Sequence, residues 1–241
     1  MVSKNQIKLI TSLQHKKYRK EENLFIAEGK KVIGELINAG FELVWLFQTD
    51  AVFSEKNFPV VSISPNDLKK FSALSTANNC LAVFKIPAFA KFSHLGLILA
   101  LDDIRDPGNF GTIIRLCDWF GIKNIYCSEQ TVDLYNPKVV QSTMGSLARV
   151  NVSYGNLPEF LQKTKLPVFG TFMDGDNIYQ ANLPQEGIIV LGNEANGISV
   201  EVTKTVTQKI AIPRFGDIQA TESLNVATAA AIVLSEFCRR F

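Results

Sequence analysis

Three short stretches hold most of the side chains able to do chemistry: Asn109 and Arg115 in "DPGNFGTIIRLCDW", Glu194 in "LGNEANGIS", and Ser223 and Asn225 in "ESLNVATAAAIVL". Each has a plain structural reading. Ser223 and Asn225 suit the cap of the apolar helix that follows them, because a side-chain oxygen there accepts from free backbone N–H groups. Asn109 is placed to cap the helix after the Pro107-Gly108 turn, Glu194 can cap the segment after its own turn, and Arg115 fits a solvated charge. As chemistry, the set offers amides, a hydroxyl, a carboxylate and a guanidinium that stays charged at any physiological pH and so cannot act as a free base. Other chemistries lose support. His15 and His94 are the only histidines, and Cys80, Cys117, Cys127 and Cys238 form no C-x-x-C pair, which disfavours a metal site and a disulfide framework. No segment matches G-x-G-x-x-G or G-x-x-x-x-G-K-[ST], which disfavours a dinucleotide or nucleoside-triphosphate site.

The three stretches follow three apolar runs, "LGLILALDDI", "GIIVLGNE" and "KIAIP". Between these runs lie helical patterns ("NFGTIIRLCDWFG", "NPKVVQSTMGSLARV", "LPEFLQKTK", "VEVTKTV") and further strands ("NIYCSE", "VFGTFMD"). Strands this apolar, alternating with helices, predict a parallel sheet covered on both faces. Ligands of such sheets settle beyond the carboxyl ends of the strands, where the three polar stretches fall. Gly111 permits close approach to a first helical turn, and the Gly192 and Gly197 turn exposes backbone amides at the second strand end.

The chain has 241 residues, 46% of them hydrophobic and 20% charged, enough to bury one sizeable core or two modest ones. Its longest apolar run, Val226 to Leu234, is far short of the ~20 residues of a membrane helix, and the N-terminus lacks the apolar block of a signal peptide. A retained N-terminus and a cytoplasmic location are expected. The net charge of +2 is uneven: residues 1–31 carry eight Lys/Arg against three Glu, so +5 sits there and −3 in the remainder. Such a cluster is a solvated face or a phosphate-backbone footprint, with Lys16, Lys17, Arg19, Lys20 and Lys30 as the candidate nucleic-acid contacts. The break in pattern from Lys85 to Gly96 divides a small α/β domain (1–88) from the larger one (97–241), with 89–96 as the linker.

Asn109-Phe110-Gly111 with Arg115, then "LGNEANGIS", then "IPRFG" leading to "SLNV", resemble in order and context the three motifs of the SpoU-type RNA ribose 2′-O-methyltransferases of the SPOUT superfamily. "DLYNPKVVQSTMGSL" adds to the likeness, which covers residues ~97 to 241. "NLFIAEGKKVIGELI" resembles the substrate-binding domain of that family, an α/β fold akin to certain RNA-binding ribosomal proteins. The resemblance implies a C-terminal parallel-sheet domain with a deep trefoil knot, a homodimer and an S-adenosylmethionine pocket. It implies that Leu191, Gly192, Ile212 and Leu224 hold that cofactor, with Thr171, Gly197 and Ile198 nearby.

Methylating a ribose hydroxyl asks the oxygen to attack a sulfonium methyl in line, so alignment of the partners carries much of the rate. The resemblance makes Arg115 the main catalytic residue, holding the target phosphate and favouring the developing alkoxide. Asn109, Glu194, Ser223 and Asn225 complete the polar set around it. Ribosomal RNA is the expected substrate, given the extra N-terminal domain. A transfer-RNA ribose methyltransferase and a non-catalytic RNA-binding assembly factor of the same fold are the alternatives, although a mere binder has no need of Asn109, Arg115, Glu194 and Asn225 together. One departure from the family is the connector "DIQATE" between Gly216 and Ser223, longer than expected, which either bulges outward or reshapes the rim of the pocket.

Overall fold

The computed structural model describes residues 2–54, 58–74, 76–88, 92–216 and 223–239. The long connector at 217–222 and residues 89–91 of the expected linker lie outside them. Among the described residues the chain begins with helices α1 (Lys4–Ser12) and α2 (Lys16–Glu22), then β1 (Leu24–Glu28), α3 (Lys30–Asn38), β2 (Leu43–Gln48), β3 (Val60–Ser62), α4 (Pro65–Lys69) and β4 (Cys80–Lys85). It continues with β5 (Leu97–Leu101), α5 (Pro107–Trp119), β6 (Asn124–Ser128), α6 (Pro137–Thr143), β7 (Asn151–Gly155), α7 (Leu157–Lys163) and β8 (Val168–Asn177). The last elements are β9 (Gly187–Leu191), α8 (Val200–Thr203), β10 (Gln208–Ala211) and α9 (Val226–Cys238).

These elements form two compact units, Met1–Phe89 with Asp133–Ala148, and Ala90–Val132 with Arg149–Phe241. The first unit holds a mixed sheet of order β1-β4-β2-β3, in which β4 runs antiparallel to both of its neighbours. Its core joins Ile10 and Leu13 to Ile26, Phe47, Phe71, Leu81 and Val83. Interspersed charge hid α1 and α2 from the sequence reading. A capping box explains the start of α1: the Ser3 hydroxyl accepts from Gln6 N, and the Gln6 side chain accepts from Ser3 N.

Arg19 overturns its expected role as an RNA contact. It is 2% exposed, its Nη1 donates to the Leu13 and Gln14 carbonyls (2.8 and 2.9 Å), and its Nε and Nη2 both donate to Asp133 Oδ2. A guanidinium enclosed in this way holds the end of α1 and the start of segment 133–148, and it has no face left for a phosphate. Lys16, Lys17, Lys20 and Lys30 are exposed.

The second unit is built on a six-stranded sheet, β10-β8-β9-β5-β6-β7, with every pairing parallel. Central strands β5 and β9 are buried at every residue, as strands covered on both faces must be. Ile98, Ala100, Ile188 and Val190 pack with Leu157, Leu161 and Val202 of the covering helices, and α5 packs against α9. No helix among the described residues is long and apolar enough to cross a membrane.

Candidate active site

The turn after β9 is closed by two reciprocal backbone bonds between Asn193 and Gly197, both 2.9 Å. This hairpin needs both of its glycines. A Cβ on Gly192 would lie 2.2 Å from the Gly197 carbonyl carbon and 2.3 Å from Ile198 N, and Gly197 sits at φ +67°. Asn193 fixes the turn to the end of β5: its Nδ2 donates to Asp103 O (2.7 Å), while its Oδ1 accepts from Ala195 N and Asn196 N. Sequence reasoning did not single out Asn193. Its position between Gly192 and Glu194 in a strand-end turn was the available signal.

Beyond the hairpin, one hydrogen-bonded chain joins all three strand ends. Asn225 caps α9, its Oδ1 accepting from Ala227 N (2.9 Å) and Thr228 N (3.2 Å). Because that oxygen is committed to the helix, the Asn225 amide nitrogen must face outward, and it donates to Asn109 Oδ1 at 2.9 Å. The Asn109 nitrogen is thereby turned to Glu194 and donates to Oε1 at 2.9 Å. The helix end therefore fixes both amide orientations, and the carboxylate lies at the end of the chain.

Asn109 is not the cap it was expected to be. Asp106 caps α5, with its Oδ1 accepting from Asn109 N at 2.7 Å and Pro107 in the first helical position, where a missing N–H costs nothing. This leaves the Asn109 side chain available to the chain of amides. Likewise Asn225, not Ser223, caps the last helix; Ser223 lies two residues before the cap.

The loops after β8, β9 and β10 and the start of α9 enclose a cavity of about 940 Å³. Of the residues expected to hold a cofactor, Thr171, Leu191, Gly192, Gly197, Ile212 and Leu224 line it, as do Glu194 and Ser223. Thr171 is held by donating its hydroxyl to Val190 O at 3.0 Å. Ile198 does not line the cavity and packs instead against the core of the second unit. Arg115 lies outside the lining too, exposed on α5 with no hydrogen bond or ion pair among the described residues.

The cysteines contribute no competing chemistry. Burial pushes the Cys117 and Cys127 thiols up, away from the thiolate form, and no metal-holding cluster of His, Cys, Asp or Glu occurs among the described residues.

Comparison with known families decides what this arrangement is. The model of the SpoU rRNA methylase family matches residues 96–235. This chain belongs to that family. Residues 4–82 match a second model, the MRM3-like substrate binding domain. Among SpoU relatives, the 23S rRNA (guanosine(2553)-2'-O)-methyltransferase RlmP of Bacillus subtilis is 28% identical over 242 residues, covering 96% of either chain. A Porphyromonas gingivalis structure described as a TrmH-family RNA methyltransferase superposes with a TM-score of 0.89 at 40% identity over 100% of both chains. The AdoMet-bound rRNA methyltransferase of Sinorhizobium meliloti gives a TM-score of 0.85 at 26% identity, covering 100% of this chain and 97% of that one.

The cavity of this SpoU domain fits such a donor on its own evidence. Backbone brought close by Gly192 and Gly197 supplies polar groups for a nucleoside, while Leu191, Ile212, Leu224 and Val226 supply an apolar wall.

Proposed function

We propose that the protein transfers a methyl group from S-adenosylmethionine to a ribose 2′-hydroxyl of ribosomal RNA. The observation that carries this reading is the cavity at three strand ends with the Asn225–Asn109–Glu194 chain at its rim. Bound S-adenosylmethionine supplies an electrophilic methyl on a sulfonium centre. Leu191, Gly192, Ile212 and Leu224 are the residues that hold it, with Thr171 and Gly197 alongside. Glu194, held at Oε1 by Asn109, accepts a hydrogen bond from the ribose, and the Ser223 hydroxyl helps orient it. Arg115 binds the target phosphate and favours negative charge on the attacking oxygen, whose proton leaves to that phosphate or a nearby group as that oxygen takes the methyl from the sulfonium.

A homodimer belongs to the same reading. Thr112, Arg115 and Trp119 are the exposed residues at helical spacing on α5, and Trp119 is 84% exposed, an apolar area that a second copy would cover. The trefoil knot is also part of it, supported by the match of residues 96–235 to the SpoU family. Four free thiols, three of them buried, fit the reducing cytoplasm. Ribosomal rather than transfer RNA is supported by the match of residues 4–82 to a substrate-binding domain.

The test is incubation with radiolabelled S-adenosylmethionine and unmodified rRNA or tRNA transcripts, followed by mapping of ribose methylation. Label in a single rRNA ribose is the expected result. Donor binding with no transfer to any RNA removes the catalytic reading, and transfer to tRNA alone replaces the substrate.

A further inference from the structure

Few large apolar side chains of the second unit stand as open to solvent as Phe215, at 81% exposure. Its nearest ring is Tyr179, itself 40% exposed, with centroids 6.4 Å apart and planes inclined by 29°. The pair sits at the edge of the cavity: Arg214 and Gly216, on either side of Phe215, line it, and so does Ile178, next to Tyr179. One backbone bond joins the two segments, Ile178 N donating to Ala211 O (2.9 Å), and Tyr179 N is held locally by donating to Asn177 Oδ1 (3.0 Å). Two rings inclined by only 29°, with most of one exposed, form an apolar surface that the fold itself does not cover.

We propose that Tyr179 and Phe215 form a stacking platform for an unpaired base of the RNA strand, next to the ribose that reacts. This rests on the methyl-transfer reading of the adjoining cavity. A ribose delivered to that cavity brings its own and neighbouring bases to the rim. RNA-binding proteins read unpaired bases by stacking them on aromatic rings, with arginine contributing beside them. Arg214, next to Phe215 in sequence, lines the cavity. A second copy of the chain is the competing occupant, and the continuity of the rings with the cavity favours the base.

The experiment uses the full chain with Phe215→Ala, Tyr179→Ala and Phe215→Trp. Three quantities are measured: affinity for S-adenosylmethionine by calorimetry, KM and kcat for an unmodified rRNA transcript, and sedimentation velocity. Phe215→Ala is expected to raise the RNA KM about tenfold, the scale of one lost base-stacking contact. Donor affinity and sedimentation should stay unchanged, Tyr179→Ala should act in the same direction with a smaller effect, and Phe215→Trp should restore the wild-type KM. Unchanged KM in Phe215→Ala alongside an active wild type overturns the platform alone. A shift in sedimentation assigns the rings to a subunit contact, and a parallel loss of donor affinity assigns them to the cofactor; either result overturns it. A wild type that methylates no RNA brings down the parent reading and the platform together.

Discussion

Arg19 in the first unit and Arg115 in the second are the same side chain in opposite environments. Arg19 comes from the run richest in positive charge, yet it is enclosed by two carbonyls and Asp133. Arg115 comes from an amphipathic helix with no charge cluster, yet it remains exposed and unpaired among the described residues. The polar networks differ in the same way. The Arg19–Asp133 cluster is closed upon itself, whereas the Asn225–Asn109–Glu194 chain starts at a helix end and finishes with a carboxylate at a cavity. Satisfying every donor stabilises a fold. Leaving a charge or a carboxylate open costs stability and makes a group available to a ligand.

The strongest way to break this comparison is Arg19→Ala. It strands Asp133 and two carbonyls, so a loss of about 3–5 kcal/mol in urea unfolding is expected; a loss below about 1 kcal/mol would place the pair with ordinary surface ion pairs. Arg115→Ala should do the reverse. Stability should stay within about 0.5 kcal/mol of wild type, while single-turnover methyl transfer falls about a hundred- to a thousandfold with donor affinity retained. Near-normal turnover in this variant would remove Arg115 from the chemistry.

A finer cut separates the two roles of Asn225. Asn225→Ala should lose about 1 kcal/mol with the cap and should lose activity as well. Asn225→Asp keeps the acceptor for Ala227 N and Thr228 N but turns an oxygen toward Asn109 Oδ1. If Asn109 flips to relieve that contact, its own oxygen meets Glu194. Melting temperature should therefore recover in Asn225→Asp while turnover does not, and recovery of both would show that the orientation of the chain is immaterial.

The smallest effect concerns Glu28, buried in the first unit, which accepts from the Ser72 hydroxyl and Ala73 N. Burial raises its pKa above 4.5, against the opposing pull of those two hydrogen bonds. A raised folded-state value means that the stabilising contribution is complete below the unfolded value and is lost as pH climbs through the folded one. Stability of the wild type relative to Glu28→Gln should therefore decline as pH rises from about 4.5 towards neutrality. A difference that is flat across that range would show that the hydrogen bonds balance the burial.

Much of the fold is legible in the sequence because it is encoded locally. Ser64 followed by Pro65 marks the start of α4, and the Ser64 hydroxyl accepts from Asp67 N. The unbroken apolar runs of β5 and β9 announce strands buried on both faces. The same local reasoning failed where two local signals compete: Asp106 and Asn109 are both good caps, and only the adjoining Pro107 selects the first.

From the sequence alone come the alternation of strands and helices, the polar residues at three strand ends and the turns that require glycine, since each depends on neighbours within a few positions. Tertiary structure alone decided which cation is enclosed, to which partner each asparagine amide donates, and how the rim is joined. The bonds responsible link residues 85 and 116 positions apart, and Arg19 meets Asp133 across 114. At such separations a side chain's partner is set by the packing of whole elements, which no local pattern records.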